Sequence, residues 1–113
     1  MQTIINFPKI TVIKPDQPLE SGNAIEFQDQ VKTAVIQEDS KNVLVDFEQV
    51  ESLDSEGLMA LIHGLRFAQT LNRRLGICNL SPSIRMIFEL TQLDRVFEIF
   101  ENKAAFESTI AYM

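Results

Sequence analysis

Hydrophobic positions along this chain switch repeatedly between a two-residue and a helical period. Thr3 to Lys14 is rich in β-branched residues, with TIINF and ITVIK separated by Pro8-Lys9. That predicts one or two strands, with Pro8 at an edge or bulge. The PDQP segment, Pro15 to Pro18, is a turn, because each proline fixes its own φ and biases its predecessor away from helix. Ala24, Phe27, Val31, Ala34 and Val35 then recur at helical spacing and predict a helix from about Ser21 to Gln37. NVLVDF, Asn42 to Phe47, is too short for a helix and reads as a buried central strand. A helix from about Ser55 to Asn72 follows, with Asp54 as N-cap and a core stripe of Leu58, Leu61, Ile62, Leu65 and Ala68.

LGICNL, Leu75 to Leu80, predicts a further buried strand beside NVLVDF and parallel to it. Ser81-Pro82 supplies a cap and a first-turn proline for a short helix facing inward through Ile84, Ile87 and Phe88. VFEIF, Val96 to Phe100, predicts an edge strand, and Lys103 to Tyr112 a last helix with Ala104, Phe106, Ile110 and Ala111. Strand–helix alternation of this kind predicts an α/β fold. Its sheet is mixed, mostly parallel and four- or five-stranded, with about four helices and right-handed crossovers.

Composition narrows the function. The chain has 113 residues, a size that predicts one domain over 1–113. Ten Lys and Arg against 16 Asp and Glu leave a net charge of −6. This excess disfavours direct binding to nucleic acid or to an anionic membrane. A single cysteine, Cys78, excludes an intramolecular disulfide and fits a reducing compartment. A single histidine, His63, leaves little material for a transition-metal site, and no metal or cofactor is expected. No apolar run reaches the length of a membrane span, and the N-terminus lacks the basic lead and apolar stretch of a secretory signal. The expected setting is cytoplasmic.

In open α/β sheets the functional crevice lies beyond the carboxyl ends of the strands. The loop Glu48 to Gly57 follows the central strand and delivers Asp54, Ser55, Glu56 and Gly57 to a helix start. Free backbone N–H groups and a partial positive charge there accommodate a phosphate on Ser55. Asp and Ser are also ordinary capping residues, so local chemistry alone does not assign a function. Serine-nucleophile chemistry is disfavoured. His63 lies eight positions along the same helix, about 12 Å along its axis, and no G-x-S-x-G elbow is present. Asp46, at the end of VLVDF, resembles the acceptor of a response-regulator receiver, but the acidic pair and strand-end lysine of that site are missing. No Gly-rich phosphate-binding motif is present.

VLVDFEQVESLDSEGLMALI, followed by LGICNLSPSIRMIFELTQLDRVFEIF, resembles the STAS domain of anti-sigma factor antagonists over about Asn42 to Phe100. The shared features, in order, are an apolar strand, Asp-Ser-x-Gly-Leu at a helix start, a strand, Ser-Pro-x-Ile, a Leu-Thr-x-Leu turn and a short Phe-x-Ile strand. The resemblance implies a non-enzymatic, phosphorylation-switched binding module with Ser55 as acceptor. Its unphosphorylated form would bind an anti-sigma factor serine kinase and release a sigma factor. Phosphorylation would end that binding, and a serine phosphatase would reset it. The expected partner contacts are Asp54, Ser55, Glu56, Gly57 and Leu58 at the helix start and, from their place on the helix, Met59 and His63. Asp54 would cap the helix and help position the hydroxyl, Gly57 would permit close backbone approach, and Leu58 would anchor the helix start. The rival reading is a constitutive STAS scaffold not controlled by phosphorylation; a small-ligand sensor would need a cavity that the sequence does not reveal.

Three features depart from the family pattern. Glu56 stands where members often carry a small residue. KPDQPLESGNA replaces a Gly-x-Leu-Asp-like turn, leaving Asp16 or Glu20 as stand-ins for its aspartate. The N-terminal strands match by type alone. At 100° per residue Met59, His63 and Phe67 lie about 100°, 140° and 180° from Leu58, away from the core stripe near 320°. They are expected to form a partly exposed ridge, on which Phe67→Ser costs no more than about 1 kcal/mol. Cys78, mid-strand among apolar residues, is expected to be an inert core thiol.

Overall fold

The computed structural model describes residues 3–7, 10–37 and 41–110. Strand β1 (Thr3–Phe7) turns back antiparallel onto β2 (Ile10–Lys14), pairing Thr3 with Lys14 and Phe7 with Ile10. Pro8, expected to break the two strands, lies outside the described residues. Helix α1 (Ala24–Ile36) leads to β3 (Asn42–Asp46), α2 (Ser55–Thr70) to β4 (Arg74–Cys78), and α3 (Pro82–Leu90) to β5 (Glu98–Phe100). Helix α4 (Lys103–Ser108) follows. The sheet order is β1-β2-β3-β4-β5, with β2 through β5 parallel, so NVLVD and RLGIC are adjacent central strands.

Each crossover advances the sheet by one strand in the same direction. With a constant right-handed crossover, the connecting helices must lie on one face. Residues of α1, α2 and α3 accordingly share the larger core, with Phe27, Val31, Leu61, Leu65, Ile84 and Phe88 against Ile13, Val43, Val45, Leu75 and Ile77. The opposite strand positions, Ile10, Val12, Leu44 and Cys78, meet Phe106 and Ile110 at the α4 end of the chain. Both faces of β3 and β4 are thus covered, which is why their sequences read as continuous apolar runs.

Helix α1 begins at Ala24, not Ser21. The Asn23 side chain accepts from the Glu20 N–H (3.0 Å) and donates to the Pro18 carbonyl (2.8 Å), folding the preceding residues into a turn. Helix α2 stops at Thr70, two residues early, where Asn72 takes φ 56°. A short 3₁₀ turn, Leu93–Arg95, which the apolar pattern does not signal, precedes β5. Helix α4 ends at Ser108, short of the expected Tyr112, which itself lies outside the described residues.

The inward face of α2 consists of Gly57, Ala60, Leu61, Gly64, Leu65 and Ala68. Leu58 and Ile62, expected at its centre, are half-buried at its margin and pack against the core. Small residues rotate the buried stripe by about 50° from the one drawn through the large apolar side chains. The reason is close approach to α1: a Cβ on Gly64 would lie 2.7 Å from Val31 Cγ1.

Candidate functional site

Two loops meet at the carboxyl edge of the sheet. One joins β2 to α1 and the other joins β3 to α2. Leu19 donates its N–H to the Ser52 carbonyl (3.1 Å), and its own carbonyl accepts from the Asp54 N–H (3.0 Å). Leu19 and Leu53 thereby form a parallel bridge, while the Leu19 side chain is buried. The loops are closed like two short strands, and the start of α2 is fixed against the start of α1.

Asp54 is the centre of this closure. One carboxylate oxygen, Oδ1, accepts from the Gly57 N–H (2.9 Å) and caps α2; the other, Oδ2, accepts from the Ser21 N–H (3.1 Å) in the opposite loop. Its extended backbone conformation suits the capping position. Ser55 is the first residue of α2 and is exposed, as is Glu56. Gly57 faces inward. A Cβ there would lie 2.2 Å from the Leu19 carbonyl oxygen, so glycine is what allows α2 to start this close to the other loop. Gly57 is thus buried under Leu19, at the closure of the two loops.

Met59 is 46% exposed and His63 is exposed, so both remain on the outer face of α2. Phe67 is partly exposed too, as expected, but it lies nearer the core than its neighbours on the ridge. It is half-buried and packed on the core, with the Lys32 ammonium 5.6 Å from its ring centroid. The rotated stripe explains this, because it brings position 67 to the edge of the buried face. Ile25, in the first turn of α1, is 76% exposed.

The two loops carry Asp16, Glu20, Glu48, Glu51 and Asp54, with Glu56 just beyond, and neither loop contains Lys or Arg. Lys14, at the end of β2, pairs with Glu48 at 2.6 Å, and that hydrogen bond raises the ammonium's pKa above its ordinary value. Asp46 is only 7% exposed. Its Oδ1 accepts from the Glu48 N–H (2.9 Å) and from Asn79 Nδ2 (3.0 Å). The sequence offers Asp46 only as a receiver-like phosphoacceptor and gives Asn79 no role. The left-handed backbone of Asn79, φ 59°, is the kind of turn geometry Asn tolerates, but nothing in the sequence links it to Asp46. Beside them Cys78 is fully buried, and burial, aided by the charges of Asp46 and Glu48, pushes its thiol up to about 12. Among the described residues no three His, Cys, Asp or Glu side chains converge as metal ligands, and no helix is long and apolar enough to cross a membrane.

A family model described as the STAS domain matches residues 3–105. Among solved structures, TM1081 of Thermotoga maritima superposes with a TM-score of 0.90 at 17% identity, over 97% of this chain and 94% of that one. The anti-sigma factor antagonist SpoIIAA in its unphosphorylated form gives 0.72 at 18% identity, over 98% and 96%. The Bacillus cell fate determinant SpoIIAA in the phosphorylated form gives 0.73 at 18% identity, over 96% and 99%. At these identities the structures speak for the fold, while the family match extends over nearly the whole sequence. With its four parallel strands, antiparallel first strand and Asp-Ser-x-Gly helix start, this chain belongs to the STAS-domain family.

Proposed function

We propose that this chain is an anti-sigma factor antagonist, a binding module of one domain without catalytic activity of its own, switched by phosphorylation of Ser55. The observation that carries the reading is the placement of Ser55. Its side chain is exposed at the start of α2, directly after a capping aspartate, on the edge of the sheet where two closed loops make a firm surface. SpoIIAA, whose fold this chain shares, exists in phosphorylated and unphosphorylated forms. Unphosphorylated, the chain binds a cytoplasmic anti-sigma factor serine kinase and frees a sigma factor; phosphorylated, it lets go until a serine phosphatase restores it. Asp54 holds the helix start and its neighbouring serine in place. Glu56, Met59 and His63 supply the surrounding contacts, and Leu58 anchors the first turn to the core.

The charge of the two loops specifies the partner further. Loss of binding on phosphorylation calls for a kinase surface that is apolar or acidic directly opposite Ser55, so any cation answering the six nearby carboxylates sits away from that contact. The experiment is ATP-dependent labelling by anti-sigma kinases from the same organism, with the site read by mass spectrometry. Labelling at Ser55 that vanishes in Ser55→Ala, with binding retained by Ser55→Ala, is the expected result. Unlabelled chain that still assembles with partners, indifferent to Ser55→Asp, would instead mark a constitutive scaffold.

A further inference from the structure

We infer that Asn79 and Asp46 form a positioning pair that sets the location of the α2 start, and with it Ser55. As a statement about Ser55 this rests on the function proposed above; as a statement about α2 it stands on the geometry alone. Asp46 is a nearly buried carboxylate at the end of a central strand, where an unpaired charge is costly. Two donors converge on its Oδ1: the Glu48 N–H and Asn79 Nδ2. The Glu48 contact begins the loop that ends, six residues later, in Asp54. The Asn79 contact begins the connection to α3, whose Ser81 cap lies two residues on.

The Phe47 N–H extends the β3–β4 ladder by one bond to the Cys78 carbonyl (2.9 Å), and beyond it the two chains separate. The Asn79 amide is the side-chain link across this divergence, and a left-handed backbone, φ 59°, directs it there. Asn adopts that conformation at modest cost, whereas most side chains do not. One amide therefore fixes the spacing between the loop that carries the α2 start and the turn that carries the α3 start. The far end of the first loop is held by Asp54 and Leu19, so a shift at Glu48 has to be taken up at the first turn of α2.

The test uses Asn79→Gly, which keeps the left-handed backbone available and removes only the amide, and Asp46→Asn, which keeps an acceptor oxygen. In the free protein, Asn79→Gly is expected to speed hydrogen exchange of the Glu48, Asp54 and Gly57 amides at least tenfold, with the amides of β4 and β5 unchanged. Asp46→Asn is expected to stay within threefold of wild type at those amides. Under labelling by the kinase, at a temperature where both proteins are fully folded, kcat/KM for Ser55 should fall at least fivefold in Asn79→Gly. Unchanged exchange at Asp54 and Gly57 in Asn79→Gly overturns the inference, whether or not Ser55 is phosphorylated. Accelerated exchange with an unaltered labelling rate overturns its Ser55 part. A wild-type chain that no anti-sigma kinase labels defeats the functional reading instead, and the exchange result then decides the positioning of α2 alone.

Discussion

Replacing Gly57 by alanine adds one methyl group at the tightest point of the loop closure. The new Cβ would sit 2.2 Å from the Leu19 carbonyl oxygen, 2.7 Å from its carbon and 2.9 Å from its Cβ. That is about 1 Å short of an ordinary contact, and the obstruction is backbone, so no rotamer change relieves it. Leu19 cannot retreat freely. Its side chain is 1% exposed, and its N–H and C=O bind Ser52 and Asp54. Separating the loops weakens those two hydrogen bonds, each contributing about 1 kcal/mol net, and exposes part of Leu19, whose full burial contributes about 2 kcal/mol. Against this stands a gain of up to about 1 kcal/mol for alanine over glycine in a helix.

The net expectation is a loss of about 1–3 kcal/mol in urea unfolding with an unchanged m-value. Amide exchange should accelerate at Leu19 and Asp54 before it does in the sheet. Gly22→Ala is the matched control, since a Cβ there meets nothing within 4 Å, and its stability should stay within about 0.5 kcal/mol. A Gly57→Ala protein as stable as wild type, with undisturbed exchange at Leu19 and Asp54, would refute the account of why α2 starts where it does.

Asp54→Ala removes the acceptor for both Gly57 and Ser21 N–H groups and should cost about 1–2 kcal/mol in urea unfolding, while Asp54→Asn, which keeps one acceptor oxygen, should recover part of it. Phe67→Ser should lose about 1–3 kcal/mol in thermal unfolding, more than a surface change, because the ring is half-buried on the core. Cys78, with its thiol pushed up to about 12, remains protonated in the fold while the unfolded thiol ionises near its ordinary value. The native state then binds more protons between about pH 9 and 12, so this group lowers stability as pH rises through that window, by at most about 1.4 kcal/mol per pH unit. Stability curves of wild type and Cys78→Ala should therefore converge with rising pH, and slow alkylation of native Cys78 at neutral pH checks its burial.

The layers of this fold are legible in the sequence because large apolar residues mark them. The inward face of α1, with Ala24, Phe27, Val31, Ala34 and Val35, is the one its spacing predicts. NVLVD and RLGIC pair as predicted because a strand covered on both faces leaves an uninterrupted apolar run. What hydropathy conceals is the role of small residues. Gly57, Ala60 and Gly64 occupy the buried face of α2 without contributing to an apolar stripe, so hydropathy centres the stripe on Leu58 and Ile62 and sets Phe67 farther from the core than it lies. The candidate serine is visible because capping chemistry and the Asp-Ser-x-Gly-Leu spacing are local. The contacts of Asp54 to Ser21 and of Asp46 to Asn79 join residues 33 apart in each case, and no local pattern reports them.

Ser55→Asp provides the sharpest separation between a switch in binding and a switch in folding. A negative charge at the first position of α2 gains about 0.3–1 kcal/mol from the helix terminus. Asp54 and Glu56 flank it in sequence and oppose that gain. The Asp54 carboxylate is already engaged by Gly57 and Ser21, so the added charge has no paired partner to displace inside the fold. The two contributions are of similar size and opposite sign, which leaves stability within about 0.5 kcal/mol of wild type, as for other exposed positions. At an interface the balance differs, because a carboxylate desolvated against a partner surface costs several kcal/mol unless that surface pairs with it. On the proposed function, Ser55→Asp should unfold in urea like wild type yet bind the unphosphorylated chain's kinase at least tenfold more weakly by titration calorimetry. A variant that loses 2 kcal/mol or more in stability would move the switch into the fold itself. One that binds the kinase as tightly as wild type would remove charge at position 55 as its basis.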